Sequence, residues 1–283
     1  MKFHKYHALG NDYIVIDPRQ TKIKLTSENI KTICHRNFGV GSDGILYGPL
    51  TDTDQIALKI YNPDGSEAEK SGNGIRIFSR YLFDQKYITG KSFVLQTLGG
   101  KVFVEFLDDQ GSMIKVDMGT VTFQSNLIPV NGPPREMTGE NLEINKINYQ
   151  VTCLSIGNPH CVIPLPEISR EKALEIGPLV ENHPLFPNRI NMQLLKVLDR
   201  GNIQIEIWER GAGYTMASGS SSCAAASAAY KLGLVDNLIN VHMPGGIINI
   251  DIKPDGHVFM TGSVVKVYSG EMAGQFLEQI DKF

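Results

Sequence analysis

Lys70-Ser71-Gly72-Asn73-Gly74-Ile75-Arg76-Ile77-Phe78-Ser79-Arg80-Tyr81-Leu82 opens on a Ser-Gly step and carries apolar side chains at Ile75, Phe78 and Leu82. That spacing follows one face of a helix, and a serine just ahead of it is a preferred N-cap. A second Ser-Gly step stands at Ala217-Ser218-Gly219-Ser220-Ser221-Ser222-Cys223, running into an alanine-rich stretch from Ala224 to Tyr230. The pattern predicts helices over 72–84 and 219–232.

The likeness continues downstream of both starts. Gly99-Gly100 leads into the alternating strand Lys101-Val102-Phe103-Val104-Glu105-Phe106, a turn at Asp108–Gly111, and Met118-Gly119. Gly245-Gly246 leads into Ile247-Ile248-Asn249-Ile250-Asp251-Ile252, a turn at Pro254-Asp255-Gly256, and Thr261-Gly262. Gly100 lies 29 residues beyond Ser71, and Gly246 lies 28 beyond Ser218. An internal repeat of this kind implies two similar domains of mixed α/β (α+β) class. Each has a helix packed on hairpin-rich strands rather than a parallel βαβ array. The Pro133-Pro134 pair and the polar run 138–148 place the boundary near residue 120. The expected domains are 1–120 and 121–263, with the tail at about 264–283 returning to the first.

The chain has 283 residues, 42% hydrophobic and 20% charged, which suffices for two buried cores and argues against disorder. A net charge of −3 gives no electrostatic reason for a nucleic-acid partner or an anionic membrane. Met1–His7 has no apolar signal-peptide core, and no later stretch approaches the roughly 18–20 apolar residues of a membrane span. The expectation is a soluble, cytoplasmic protein. Cys34, Cys153, Cys161 and Cys223 are too scattered for a disulfide framework. Cys153, His160 and Cys161 lack the paired spacing of a zinc site, so no metal is expected.

Helix N-termini attract anions through unpaired N–H groups and a partial positive charge. Either Ser-Gly step alone reads as an ordinary cap. Two at equivalent places in duplicated halves suggest helix ends directed into one cleft, around a small carboxylate-bearing ligand. Such ends could also stabilise charge developing as an adjacent Cα–H is removed. Leu9-Gly10-Asn11-Asp12, Gly39–Gly44, Asn62-Pro63-Asp64-Gly65 and Gly157-Asn158-Pro159-His160 are turn-forming clusters. Their asparagines suit either turns or ligand contacts. Glu209-Arg210-Gly211-Ala212-Gly213 follows the strand Ile203–Trp208. An arginine there suits bidentate carboxylate capture or a surface ion pair.

Together these pieces resemble the diaminopimelate epimerase family over nearly the whole chain. The matching segments are His7–Asp12, Asn62–Glu67, Gly72–Gly74, Gly157–Cys161, Glu209–Gly213, Pro244–Gly246 and Met260–Gly262. Cys34–Gly44 and Val151–Cys153 look most like its plant and cyanobacterial branch. The resemblance implies two pseudo-symmetric domains, each a central helix wrapped by mostly antiparallel strands. It also implies a homodimer and cofactor-independent, two-base inversion of an α-carbon of diaminopimelate, on the route to lysine and peptidoglycan. By that analogy Asn11, Asn62, Asn158, Asn191 and Arg210 hold the distal amino-acid end. Gly72, Asn73, Gly219 and Ser220 take the reacting carboxylate, and His160 and Glu209 flank the acid/base pair.

One departure bears on the chemistry. The family has cysteine at both helix starts, where this chain has Ser71 and Ser218. Cys223 lies five residues further on and matches a structural cysteine. A helix-start thiol ionises near neutral pH from its ordinary value of about 8.5, which a serine hydroxyl does not. Losing a positioned acid/base group costs about 10²–10⁴-fold. Tyr214 and Ser221-Ser222 also depart from the family pattern. The serines fit either an engineered Cys→Ser pair or natural divergence. Three readings stand: an impaired epimerase, a racemase, isomerase or dehydratase for another amino acid, and a non-catalytic amino-acid-binding homologue.

Overall fold

A computed structural model describes residues 1–21, 23–50 and 55–280. The chain divides into two units, Met1–Val116 with Gly262–Phe283, and Asp117–Thr261.

The first unit begins with a hairpin of β1 (Lys2–Ala8) and β2 (Asn11–Ile16), closed by Leu9 and Gly10, both at positive φ. Helix α1 (Ser27–Cys34) crosses to β3 (Ile45–Leu50), which lies parallel to β2. β4 (Ile56–Tyr61) and the short β5 (Glu67–Ala68) follow as antiparallel neighbours. Helix α2 (Gly72–Asp84) then leads to β6 (Ser92–Thr97), parallel to β4, and the hairpin continues through β7 (Gly100–Phe106) and β8 (Met113–Thr120).

The second unit repeats that order after an added strand, β9 (Glu140–Ile144). β10 (Ile147–Ser155) and β11 (Pro159–Pro164) form the opening hairpin, and α3 (Arg170–Glu181) crosses to β12 (Asn191–Asp199), parallel to β11. β13 (Asn202–Glu209) and β14 (Gly213–Thr215) are antiparallel neighbours. Helix α4 (Gly219–Lys231) leads to β15 (Leu238–Met243), parallel to β13, then β16 (Gly246–Ile252) and β17 (His257–Ser263). The remaining chain, β18 (Val265–Glu271) and α5 (Gly274–Ile280), belongs to the first unit, where β18 pairs antiparallel with β1.

Among the described residues each unit therefore carries two parallel pairings within an otherwise antiparallel arrangement, a mixed α/β architecture. Both parallel pairs arise where a helix crosses over, as parallel neighbours require. The predicted helices run 72–84 and 219–231, the second one residue shorter than expected.

The central helices of the two units solve the same packing problem with different side chains. Ten of thirteen residues are buried in each. α2 lies against β1, β2 and β3 and fills space with Ile75, Phe78, Tyr81 and Leu82. α4 is approached closely by β10, β11, β12 and β16, and Ala224 to Ala229 leave room for those backbones. The outer sheet faces bury Phe3, Ile14 and Ile45 against Ile30 and Ile33 of α1 in the first unit. In the second, Cys153, Cys161, Met192 and Leu194 pack with Ala173, Ile176 and Val180 of α3. Among the described residues no helix is long and apolar enough to cross a membrane.

Candidate active site

The two helix starts have nearly the same local geometry. Ser71 caps α2 with an extended backbone (φ −137, ψ 116), its Oγ accepting from Gly74 N at 3.1 Å. Ser218 caps α4 likewise (φ −146, ψ 125), its Oγ accepting from Ser221 N at 3.4 Å. The bond to the N3 amide leaves the amides of Gly72 and Asn73, and of Gly219 and Ser220, at the anion-attracting first turn. Glycine at the first helical position in both leaves that position without a side chain.

What surrounds the two serines differs. Ser218 Oγ also donates to Glu209 Oε2 at 3.0 Å. Ser71 Oγ lies 3.3 Å from the hydroxyl of Tyr13, whose side chain is buried. One hydroxyl is therefore paired with a carboxylate and the other with a phenol.

Asn73 and Asn11 are held by a directional chain in the first unit. The buried Arg76 donates to Asn73 Oδ1 at 2.8 Å, Asn73 Nδ2 to Asn11 Oδ1 at 3.0 Å, and Asn11 Nδ2 to Asp43 Oδ2 at 3.0 Å. With a cation at one end and a carboxylate at the other, both amides are fixed in orientation. Asp12 beside them is bonded by Lys5 and Arg36 at 2.7 and 2.8 Å. Burial pushes its carboxyl up, yet the hydrogen bonds and charges of Arg36 and Lys5 hold it below the usual range. Asn62 is not drawn into this group. Its Nδ2 donates to Ser66 Oγ at 3.0 Å across the turn between β4 and β5.

In the second unit the turn into β11 brings Asn158 to the start of α4, with His160 of β11 beside it. Asn158 Nδ2 donates to Ser220 Oγ at 3.4 Å, and its Oδ1 lies 3.0 Å from His160 Nε2. Gln193 Nε2 donates to Ser221 Oγ at 3.0 Å, so Ser221 is tied to β12. Asn191 acts on backbone, donating to Pro159 O at 2.8 Å and accepting from Arg210 N at 2.9 Å. Arg210, on the exposed turn after β13, donates from Nη1 to Asn188 O at 3.0 Å. Tyr214 spends its hydroxyl on the buried Glu206 at 2.6 Å. Its burial, and then that carboxylate, hold the phenol well above its ordinary value.

Gln193, Arg76, Asp43 and Tyr13 escape the sequence reading. Asp43 lies inside the glycine-rich segment singled out there, and Arg76 is a charged residue inside an apolar helix pattern. Those were the available signals, and Gln193 and Tyr13 had none.

His160 is fully buried, and that burial pushes its imidazole down to about 3, a neighbouring Gln193 pulling it back slightly and the Arg210 charge adding to the fall. The ring is neutral at physiological pH. The folded state resists protonation while the unfolded chain protonates near 6.5. Its contribution to stability is therefore complete above pH 6.5 and is lost as pH falls towards 3, roughly 2 kcal/mol by pH 5. His160→Gln is expected to flatten the fall in Tm between pH 7 and 5. Identical slopes in the two proteins would assign the effect to other groups.

A family model described as "Diaminopimelate epimerase" matches residues 3–124 and 152–267. The chain belongs to the diaminopimelate epimerase family. It is 58% identical over 274 residues to a Nostoc protein named diaminopimelate epimerase 2, covering 96% of each chain. It is 37% identical to the diaminopimelate epimerase of Moorella thermoacetica, covering 96% of this chain and 99% of that one. The first likeness makes it a cyanobacterial-like member of this family of isomerases. Among solved structures, a probable proline racemase from Agrobacterium radiobacter shares the fold, with a TM-score of 0.71 at 13% identity over 96% of this chain and 93% of that one.

Proposed function

We propose that the chain binds a diaminopimelate-like amino acid through residues of its two helix starts and the turns assigned with them, and that Ser71 and Ser218 leave it impaired in inverting the α-carbon. The observation that carries this reading is the placement of the two serines. Each is the N-cap of a central helix, the position at which the family resemblance puts a thiol acid or base. A hydroxyl there keeps the cap and loses the ionisable group. Gly72, Asn73, Gly219 and Ser220 take the reacting carboxylate, and Arg210, Asn11, Asn62, Asn158 and Asn191 the distal end. In this scheme Asn62 acts through the turn it holds, and Asn191 through the two backbone segments it ties together. Glu209 and His160 set protonation, the first as an acceptor and the second as a neutral donor or acceptor. The chemistry asks for no pyridoxal phosphate or metal, because the carboxylate-stabilising groups are supplied by the helix ends. A homodimer working in the cytoplasm completes the proposal, on the family resemblance.

Tyr214 weighs against the reading in which another substrate is selected there, since its hydroxyl is bound to Glu206 and its ring packs on the second unit's core. The test of the proposal is titration calorimetry with diaminopimelate, paired with proton NMR of its α-position in D2O. Binding with little or no inversion is the expected result, and absence of binding would refute it. Arg210→Lys keeps a charge but loses the planar fork, so its Kd should rise roughly tenfold. An unchanged Kd would remove Arg210 from the ligand's contacts.

A further inference from the structure

We infer that Glu181, the last residue of α3, is the positioning residue for Glu209 and Arg210, and that Trp208 reports on the state of that loop. Glu181 has a side chain only 7% exposed, and it receives three donors from three segments. Trp208 Nε1 donates to Oε2 at 2.7 Å, Gly211 N to Oε1 at 2.9 Å, and Arg189 Nη1 to Oε1 at 3.0 Å. A buried carboxylate is costly unless its lone pairs are met, and here one cation and two N–H groups meet them.

The placement of these donors gives the inference its content. Trp208 and Gly211 stand immediately on either side of Glu209 and Arg210. Glu181 therefore grips the chain at both ends of the two-residue stretch that carries both side chains. Gly211 turns the chain at φ +79, a conformation glycine enters freely but is not confined to, so the hydrogen bond from its amide to Glu181 restricts it. α3 itself is locked to β13 at the same place, because a side chain at Gly177 would meet the Trp208 ring at 2.5 Å. Arg189 and the neighbouring Asn188 complete the grip, the latter accepting from Arg210 Nη1. Glu181 is not among the residues assigned to the ligand, and acts only through the loop.

The ligand part of the inference rests on the proposed function, while the loop part does not. Trp208 is the sole tryptophan, so the chain has one indole N–H resonance. Glu181→Gln preserves shape but leaves one oxygen for three donors. The first readout is exchange of the indole and Gly211 N–H groups in that variant. Both should exchange at least tenfold faster, while amides elsewhere in the second unit hold their rates, since local opening is separable from global unfolding. The second readout is Kd for diaminopimelate in the parent, Glu181→Gln, Arg210→Met and the double variant. Glu181→Gln should weaken binding several-fold in the parent background and have almost no effect beside Arg210→Met, the coupling expected of residues acting through one contact. Unchanged exchange at Trp208 and Gly211, or a uniform rise across the unit, would overturn the positioning role. So would an unchanged Kd in Glu181→Gln. If the parent binds no diaminopimelate, the proposed function fails, and the exchange readout alone still decides the positioning role.

Discussion

Ser71→Cys together with Ser218→Cys should raise exchange of the α-hydrogen of diaminopimelate with D2O by at least two orders of magnitude over the parent, accompanied by inversion. Sγ would sit close to the present position of Oγ, and each site already lies at a helix N-terminus, where Oγ accepts a hydrogen bond from a backbone N–H at 3.1 or 3.4 Å. That environment lowers a thiol from about 8.5 into the range 3.5–7.5 and populates the thiolate. A positioned acid or base is worth about 10²–10⁴-fold, and inversion needs one on each face of the α-carbon. Each single variant should therefore stay poor at inversion while gaining exchange on its own face. The double variant should exceed the product of the two separate gains, because groups that act as a unit are non-additive. Proton NMR of the α-position in D2O, run on the parent, both singles and the double, measures all four rates. A double variant that binds diaminopimelate and still exchanges nothing would show that the family's chemistry does not transfer to this chain.

Much of the fold was legible because its punctuation is local. The Ser-Gly steps mark helix starts through capping chemistry that needs only neighbouring residues, and both helices begin where the serines place them. The Gly100 and Gly246 hairpins are equally local, since both residues adopt positive φ immediately after a tight turn. The direction of individual pairings was not legible, although the hairpin-rich character was. An alternating run such as Ile203–Trp208 has the same period whether its neighbour is antiparallel β12 or parallel β15. The pairing of Lys2 with Glu271 depends on a separation no local pattern reports.

The site divides in the same way. Asn158 and His160 lie in one motif and do meet near the start of α4. Asn62 and Asn191 were both assigned by the resemblance to the ligand's distal end, yet one holds its own turn and the other ties two backbone segments. Asparagine's capacity to imitate a backbone amide makes these uses identical in sequence. Glu181 gave no signal at all, because a glutamate near a helix end is ordinary and its three donors come from 8, 27 and 30 residues away.

In the unaltered chain, any α-hydrogen exchange should depend on Glu209 and should proceed without inversion. The two helix-start serines have unequal partners. Ser218 Oγ points its proton at a carboxylate 3.0 Å away, whereas the hydroxyl beside Ser71 belongs to a tyrosine. A carboxylate is by ordinary chemistry a stronger proton acceptor than a neutral phenol near pH 7, so of the two groups bonded to the serines Glu209 is the better candidate base. Glu209 can take the α-proton directly or through the Ser218 hydroxyl and return deuterium to the same face. On the proposed reading Ser71 serves the other face, and the group bonded to it is a phenol, so a donor there would give up a proton from a phenol or an alcohol. Exchange should accordingly be confined to one configuration at the α-carbon. Glu209→Gln preserves an acceptor for Ser218 while removing the base, and should cut that exchange by about 10²–10⁴-fold towards the uncatalysed rate. Tyr13→Phe should change it by less than about threefold, since no positioned base is lost there. The two stereoisomers, followed separately by NMR in D2O, decide the matter. Equal exchange from both, or a Glu209→Gln variant as active as the parent, would place the base elsewhere. Retained configuration with Glu209 dependence would show that the serines disable inversion more completely than proton abstraction, because a carboxylate remains to take the proton on one side only.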